Sequence, residues 1–313
     1  MYKYVNPQPV AILLATYNGA TYLRQQLDSI VHQDFSHFVC YIHDDNSSDH
    51  TSNIIEEFQA KYPNKIVEIK GPATGGSKNN FMFLLKSVES DYYAFSDQDD
   101  FWLPFKLRIC FNEIKKINNN KPSCIYTDLK VVDQNLDTID NSFYSYTNID
   151  PHKNKLNNLL MSNVCVGCTM MINRVLRDEA IKIDSPNVIM HDWLAALIAS
   201  SEGRLRFISK STMLYRQHAT NVLGATRKAT IFKRVMRALN FKKFLLRKKT
   251  FVRRSRNMAK DIMQLNMLSP IELQFLGAFC KIASKKKFVR IKFYRKNNLY
   301  NQRSNKLWQL IWV

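Results

Sequence analysis

The chain of 313 residues contains no apolar run near the roughly 18 residues that a membrane-crossing helix needs. Its first residues, MYKYVNPQP, lead straight into a strand-like run, so no secretory signal is expected. Cysteine is sparse and scattered. Cys40, Cys110, Cys124, Cys165, Cys168 and Cys280 make no disulfide framework for a chain this long, and a reducing, cytoplasmic setting is expected. Cys165-Val-Gly-Cys168 has the spacing of a redox or zinc half-site, but no second pair of ligands at similar spacing accompanies it. Both thiols are therefore read as core or loop cysteines. There is no internal repeat, and the glycines of GPATGGSKNNF (71–81) fit neither the Walker nor the Rossmann spacing. Acidic residues are nearly missing from residues 226–313, which hold 24 Lys+Arg against 2 Asp+Glu, whereas residues 1–225 hold 22 against 24. The net charge of +20 therefore belongs to the C-terminal part, a basic block facing a polyanion. No helix-turn-helix, zinc or RNP motif comes with it, so nucleic acid is not the expected partner.

At 45% apolar and 12% aromatic residues, the composition is that of a globular protein. Strand and helix patterns alternate through the first half. VAILLAT (10–16), FVCYIH (38–43), KIVEIK (65–70) and DYYAFS (91–96) read as strands. Between them lie helical periods through Leu23, Leu27, Ile30 and Val31, then Ile54, Ile55 and Phe58, then NFMFLLKSV. This spacing implies right-handed crossovers and a mainly parallel sheet, with ligands bound at the carboxyl ends of its strands. Thr16-Tyr17-Asn18, Asp44-Asp45-Asn46 and Asp97-Gln98-Asp99-Asp100 all fall there. The second half is less regular: SCIYTDLKVVD (123–133) and GCTMMI (167–172) as strands, 134–155 as polar loop, RLRFIS (204–209) as a short strand.

Three aspartates in four positions repel one another and need a counter-charge. Asp97 and Asp99 form a D-x-D at a strand-end turn, and hard carboxylate oxygens suit Mn2+ or Mg2+ together with a diphosphate. Neither the glycine nor the closing glutamate of an EF-hand is in place. For D-x-D taken alone, a solvated acidic turn is the commoner outcome.

Three motifs, VAILLATYNGATYLRQQLDSI, YIHDDNSSDHT and FSDQDDFWLPFKL, in this order and spacing, resemble the nucleotide-binding half of a family 2 glycosyltransferase with a GT-A fold. VGCTMMINR, MHDWLAALIA and YRQHATNVLG continue the resemblance towards bacterial rhamnosyltransferase-like members that build O-antigen and capsule. The resemblance implies an α/β GT-A fold with a mainly parallel, Rossmann-like sheet flanked by helices. It implies an inverting, metal-dependent hexosyltransferase using a nucleotide-sugar donor, UDP-hexose or dTDP-rhamnose. Thr16 and Tyr17 would line the base pocket, with Asp45 accepting from the base imide. Asp97 would lie near ribose and metal, Asp99 would ligate Mn2+ or Mg2+, and His218 would complete the metal or diphosphate contacts. Asp192 corresponds to the general base, and as a lone residue it reads as the N-cap of the helical run WLAALIA. Lys78 and Asn80, in the 71–81 loop, are further donor contacts. Asn46 and His50 stand where glycine is usual; Asn tolerates the left-handed conformation at little cost. His191 replaces an acidic residue common before the base.

The domains expected are 1–120 for donor, 121–225 for acceptor and 226–313 as a basic helical extension. In the last, Phe232, Val235, Met236, Leu239 and Leu246 share a helical face opposite Lys and Arg, IELQFLGAFCKIASKKKFVRIKFYRK repeats the style, and Trp308 and Trp312 follow. Such a segment suits an anionic membrane surface, where a polyprenyl-diphosphate-linked glycan acceptor is presented, and implies a cytoplasmic protein peripheral on the inner face of the plasma membrane. A helical bundle packed on the catalytic part is the competing reading of the same residues. A sugar nucleotidyltransferase is disfavoured, because ATYNGATYL lacks the Gly-rich basic loop a triphosphate calls for. A nucleic-acid- or membrane-binding module without catalysis is favoured by the tail alone.

Overall fold

The computed structural model describes residues 4–117, 120–201, 204–218 and 241–302, with residues 241–243 as main chain only. After a short strand β1 (Tyr4–Val5), β2 (Val10–Thr16) runs through the interior, with Val10–Leu14 sealed from solvent. Such a continuous apolar run is what a strand covered on both faces requires. Helix α1 (Ala20–Val31) turns Leu23, Leu27 and Ile30 inward, one helical stripe. The unit repeats through β3 (Phe38–Asp44), α2 (Thr51–Lys61), β4 (Ile66–Glu68) and α3 (Ser77–Ser87). Strand β5 (Val88–Glu89) pairs with β1, and β6 (Tyr92–Ser96) lies beside β2. Strands β4, β3, β2 and β6 are neighbours in that order and all parallel. Their carboxyl ends share one edge, with Thr16 level with Asp44 and Leu14 level with Ser96.

Past β6 the chain forms β7 (Phe101–Trp102), α4 (Lys106–Lys115), β8 (Cys124–Val132), β9 (Thr138–Asp140), α5 (Phe143–Thr147) and α6 (Leu156–Leu159). A single 3-10 turn, Gly167–Thr169, leads into β10 (Met170–Asn173), α7 (Arg174–Ala180), α8 (His191–Ser200) and β11 (Leu205–Arg216). The sheet continues from β6 through β10, β8, β11 and β7. Here β10 is antiparallel to both neighbours, β11 is parallel to β8, and β7 is antiparallel to β11. The parallel half thus carries the polar clusters after β2, β3 and β6, and a mixed half is stitched to it through β10.

Two segments differ from expectation. The polar stretch 134–155 contains β9 and α5, the latter capped by the Ser142 side chain, which accepts from Ser145 N–H. RLRFIS is the start of a longer strand, because Leu205–Arg216 follows β8 through two register shifts at Ile208/Ser211 and Ser211/Leu214.

In the basic extension the described helices are α9 (Phe241–Ile262), α10 (Pro270–Lys281) and α11 (Lys287–Lys296). Val252, Ser255, Met258, Ala259 and Ile262 form a buried stripe on α9. That stripe packs on the second half of the sheet domain: the Ser255 hydroxyl donates to Leu160 O, and the Phe251 ring lies 5.5 Å from that of Trp193. Beyond α11, Asn301 Nδ2 donates to Met161 O at 2.6 Å. The extension is therefore packed on the domain through its apolar side. Leu246 is exposed, whereas Phe232, Val235, Met236, Leu239, Trp308 and Trp312 lie outside the described residues. IELQFLGAFCKIASKKKFVRIKFYRK folds as two helices parted by a turn. A Ser269–Glu272 capping box with Pro270 behind the cap starts the first of them. No helix among the described residues is long and apolar enough to cross a membrane.

Candidate active site

At the shared strand edge the first two turns interlock. Thr16 Oγ1 donates to Asp44 Oδ1 at 2.8 Å, and Asp44 also accepts from Ser47 N–H at 2.9 Å. Asn18 and Asn46 sit at φ 48° and 64°, the left-handed region that Asn enters at low cost, so Asn46 does the work of the usual glycine. Asn18 N–H donates to Ser47 Oγ, and Asn18 Oδ1 accepts from Ser48 N–H. His50 is the residue before α2, and its side chain makes no cap; Asp49 Oδ1 takes Thr51 N–H instead. The Tyr17 main chain is clamped on both sides by Gln98, at 2.8 and 3.0 Å, and its ring stands 58% exposed over the edge.

Two residues expected to face a ligand are committed to the protein. Asp45 Oδ1 accepts from Thr74 N–H, Thr74 Oγ1 and Gly75 N–H, and Oδ2 accepts from Gly76 N–H at 2.8 Å. Burial works to raise this carboxyl, but those bonds outweigh it and hold it below the ordinary value. The grip requires Gly75 and Gly76, whose φ of 77° and 126° an L side chain rarely adopts. Asn80 is buried and ties two strand ends together: its Nδ2 donates to His43 O at 3.0 Å and to Thr16 O at 3.4 Å, and its Oδ1 meets His43 Nδ1 at 2.9 Å. Lys78 is half-buried on the first turn of α3.

The aspartate turn is built into the sheet rather than solvated. Asp100 is fully buried, and Asp97 and Asp99 are half-buried. Asp99 Oδ2 meets His218 Nε2 at 2.8 Å, and the His218 ring lies 4.9 Å from that of Tyr22. A carboxylate oxygen from each of Asp97 and Asp100 and the Cys168 sulfur lie within 4.8 Å of one another. Asp99 is thus paired with His218, and the Asp97 carboxylate, close enough to feel the Asp99 charge, also groups with Asp100 and Cys168. Burial, then the neighbouring charges of Asp99 and Asp192, push the Asp97 carboxyl up; burial does the same to Asp100.

Arg216, Lys106 and Cys168 belong to this site and were not singled out as site residues in the sequence. Arg216, 1% exposed at the end of β11, donates to Asp99 O at 2.9 Å, to Gln134 O at 2.5 Å and to Gln25 Oε1 at 2.7 Å. Its guanidinium lies 4.4 Å from the centre of the Tyr22 ring. Lys106 is buried beneath the turn, with Nζ 2.9 Å from Cys168 O and 4.7 Å from the Trp102 ring centre. Burial lowers its ammonium, and the Asp100 charge opposes that. The signal in the sequence was helical spacing: Lys106, Cys110 and Ile114 share the buried side of α4.

Asp192 stands across the Gly167–Thr169 turn from the aspartates. It is not the N-cap; that is Met190, and α8 already begins at His191. Asp192 therefore lies in the first turn, where the helix dipole favours an anion. Its Oδ1 accepts from Trp193 N–H at 2.6 Å. Burial nevertheless raises the carboxyl to about 7, against hydrogen bonds from the Trp193 and Gly167 main chain and the Asn163 side chain. His191 is buried, stacked on Phe81 at 4.1 Å, and burial lowers its imidazole to about 3, so it adds no charge beside Asp192. A Cβ at Gly167 would lie 3.3 Å from the Asp192 Cβ, a close approach that only glycine leaves easy.

Carboxylates converge on one edge of a parallel sheet, their protons held by burial, with a buried carboxyl poised near neutrality beside them. Such an arrangement fits a divalent cation with an anionic ligand: Asp100 Oδ2 is sealed from solvent with no hydrogen-bond partner, and hard oxygens predominate in the donor set. Residues 11–179 match the family model for Glycosyl transferase family 2. The chain belongs to that family. Over 225 residues it is 33% identical to the dTDP-rhamnosyl transferase RfbG of Shigella flexneri, covering 68% of this chain and 74% of that protein. Over 168 residues it is 26% identical to the UDP-Glc:alpha-D-GlcNAc-diphosphoundecaprenol beta-1,3-glucosyltransferase WfgD of Escherichia coli, covering 53% and 61%. The crystal structure of S. aureus TarS 1-349 in complex with UDP-GlcNAc superimposes with a TM-score of 0.51 at 19% identity, over 94% of this chain and 89% of that one. The fold is GT-A, and this family 2 protein is a glycosyltransferase.

Proposed function

We propose that the enzyme is an inverting hexosyltransferase that moves a sugar from a nucleotide-sugar donor, dTDP-rhamnose or a UDP-hexose, to a hydroxyl of a polyprenyl-diphosphate-linked oligosaccharide in O-antigen or capsule synthesis. The observation that carries the chemistry is Asp192, a buried carboxyl raised to about 7 beside the aspartate turn. A base with that affinity is ionised at neutral pH yet still able to hold a proton. Asp192 accepts the proton of the acceptor hydroxyl as its oxygen attacks the anomeric carbon and the bond to the diphosphate breaks. The exposed ring of Tyr17 stacks on the base, with Thr16 and the Asp45-gripped loop behind it and Lys78 towards the phosphates. Asp97 and Asp99 would hold Mn2+ or Mg2+, with His218 orienting Asp99; the ion supplies positive charge against the leaving diphosphate. RfbG, by its name a dTDP-rhamnosyl transferase, supports the rhamnose donor, and the diphosphoundecaprenol in the name of WfgD supports a lipid-linked acceptor.

The test is calorimetry with UDP-, dTDP- and GDP-sugars, each with and without Mn2+. One donor class should bind, need the metal, and weaken at least about tenfold in Asp99→Ala, the loss of a charge-assisted contact. Binding to none of them, with tight salt-sensitive binding to DNA or RNA, would remove this reading.

Residues 1–120 would hold the donor, 121–225 the acceptor and 226–313 the cytoplasmic face of the plasma membrane. The apolar stripe of α9 is used within the protein, so among the described residues the membrane contact falls to the start of α11. There Lys285, Lys286 and Lys287 stand exposed beside Phe288, itself 78% exposed. A lysine cluster at a helix N-terminus opposes the helix dipole, which suits an external anion. Vesicles rich in anionic lipid should sediment the wild type and leave Phe288→Asp in solution; equal sedimentation of both would place the contact elsewhere.

A further inference from the structure

We propose that Asp97, Asp100 and Cys168 form a mixed carboxylate–thiolate cation site on the floor of the cleft, selective for a borderline divalent ion such as Zn2+ or Co2+ over Mg2+. The inference rests on the donor-site reading above and deepens it, because Asp97 is shared between the two sets. Three ligand atoms, one from each residue, already lie within 4.8 Å of one another, the spread a single ion would draw together.

The independent observation is Asp100. Its side chain is fully buried, and Oδ2 has no hydrogen-bond partner. Oδ1 receives only a long bond from Arg216 N–H, 3.4 Å. Sealing a carboxylate oxygen from water with no donor is costly. The Cys168 thiol lies against both carboxyls, yet it makes no bond of regular geometry to Asp100 Oδ2. A cation is the partner that satisfies all three groups together.

The turn carrying the thiol is rigid. Thr169 Oγ1 donates to Val166 O at 2.7 Å, Lys106 Nζ holds Cys168 O at 2.9 Å, and Gly167 N–H reaches Asp192. The charges also balance. Two carboxylates and a thiolate bring three negative charges, Lys106 returns one positive charge, and a divalent ion supplies the other two. Zinc and cobalt accept sulfur beside oxygen, whereas Mg2+ demands an octahedron of oxygens.

The experiment is a titration of the full-length protein with Co2+, followed by absorption spectroscopy and calorimetry together. About one equivalent should bind and raise a thiolate-to-cobalt charge-transfer band. Zn2+ should displace the band and Mg2+ should leave it. Cys168→Ser should lose it, and Cys165→Ser and Cys280→Ser should keep it. Should Cys168→Ser fail to fold, Asp100→Asn is the second variant, expected to weaken Co2+ binding at least about tenfold with circular dichroism unchanged. Stoichiometric Co2+ with an oxygen-only spectrum, a band that survives Cys168→Ser, or no Co2+ bound at all would overturn the site. Nucleoside diphosphate binding with Mg2+, measured in parallel, separates the two readings: if it persists without the cobalt band, only the thiolate site falls.

Discussion

Replacing Asp192 with asparagine is expected to abolish sugar transfer while making the protein more stable. Removing a general base costs about 10²–10⁴-fold in turnover, and the amide cannot take the proton of the acceptor hydroxyl. Donor affinity should be nearly unchanged, because Asp192 lies across the Gly167–Thr169 turn from the aspartates. The stability gain follows from linkage. Burial raises the carboxyl from 3.8 to about 7 in the fold. Well below pH 4 it is protonated in both the folded and unfolded chains and costs nothing, and at pH 4 the cost is still small. As pH rises towards 7 the unfolded chain ionises first, so the folded state loses a few kcal/mol, and the whole loss is present above about pH 7. The asparagine carries no such cost, and its Oδ1 can still accept from Trp193 N–H. Thermal unfolding should therefore show little difference between variant and wild type at pH 4 and a clear rise in Tm for the variant at pH 8. A variant that loses activity and stability together at pH 8 would mean that Asp192 is a structural residue.

Arg216→Ala should have the largest effect on the fold of the site. Truncation leaves the carbonyls of Asp99 and Gln134 and the Gln25 amide oxygen without their donor at a partly buried place. Losing the charged donor of such a network costs about 1–3 kcal/mol. The Asp99 main chain is then free to shift, and His218, two residues on from Arg216, shifts with it. Donor binding should fall more than about a hundredfold, as when a buried charge-assisted network is broken. Arg216→Lys should not restore it, since one ammonium cannot serve three acceptors lying in different directions. Unfolding melts and donor titrations of both variants check this; a lysine variant that binds donor like the wild type would show that charge alone, and not the fork, holds the turn.

The sheet was legible because a buried parallel strand leaves a plain mark. VAILLAT and DYYAFS each hold an unbroken apolar stretch, Val10–Ala15 and Tyr92–Phe95, and polar clusters follow them at the edge where crossovers place a ligand. The acidic turn was likewise legible as a site. Arg216 was not, because its bonds reach back 117 residues to Asp99 and 191 to Gln25, and nothing in YRQH distinguishes a surface arginine from a buried one. Cys168 looked like a core thiol, and it is buried; what the sequence could not show is that Asp97 and Asp100 lie beside it. Asp45 and Asn80 carry bonds within the protein that the sequence does not show. A polar residue at a strand end reads as a ligand contact, yet its bonds can all be taken by the protein, as the Thr74–Gly76 loop and His43 take these. The basic extension left two readings open for a similar reason. An apolar stripe fits a membrane and a neighbouring helix equally well, and in α9 it covers the sheet domain.

The central claim is that a carboxyl poised near neutrality takes the acceptor proton, and the pH dependence of turnover tests it most directly. With donor and Mn2+ saturating, so that Asp97 is held ionised, turnover should fall on the acid side with an apparent pKa near 7. Asp192→Glu should shift that limb, and Asp192→Asn should leave no limb to measure. A flat profile from pH 5 to 8, or an acid limb unchanged in Asp192→Glu, would contradict the account.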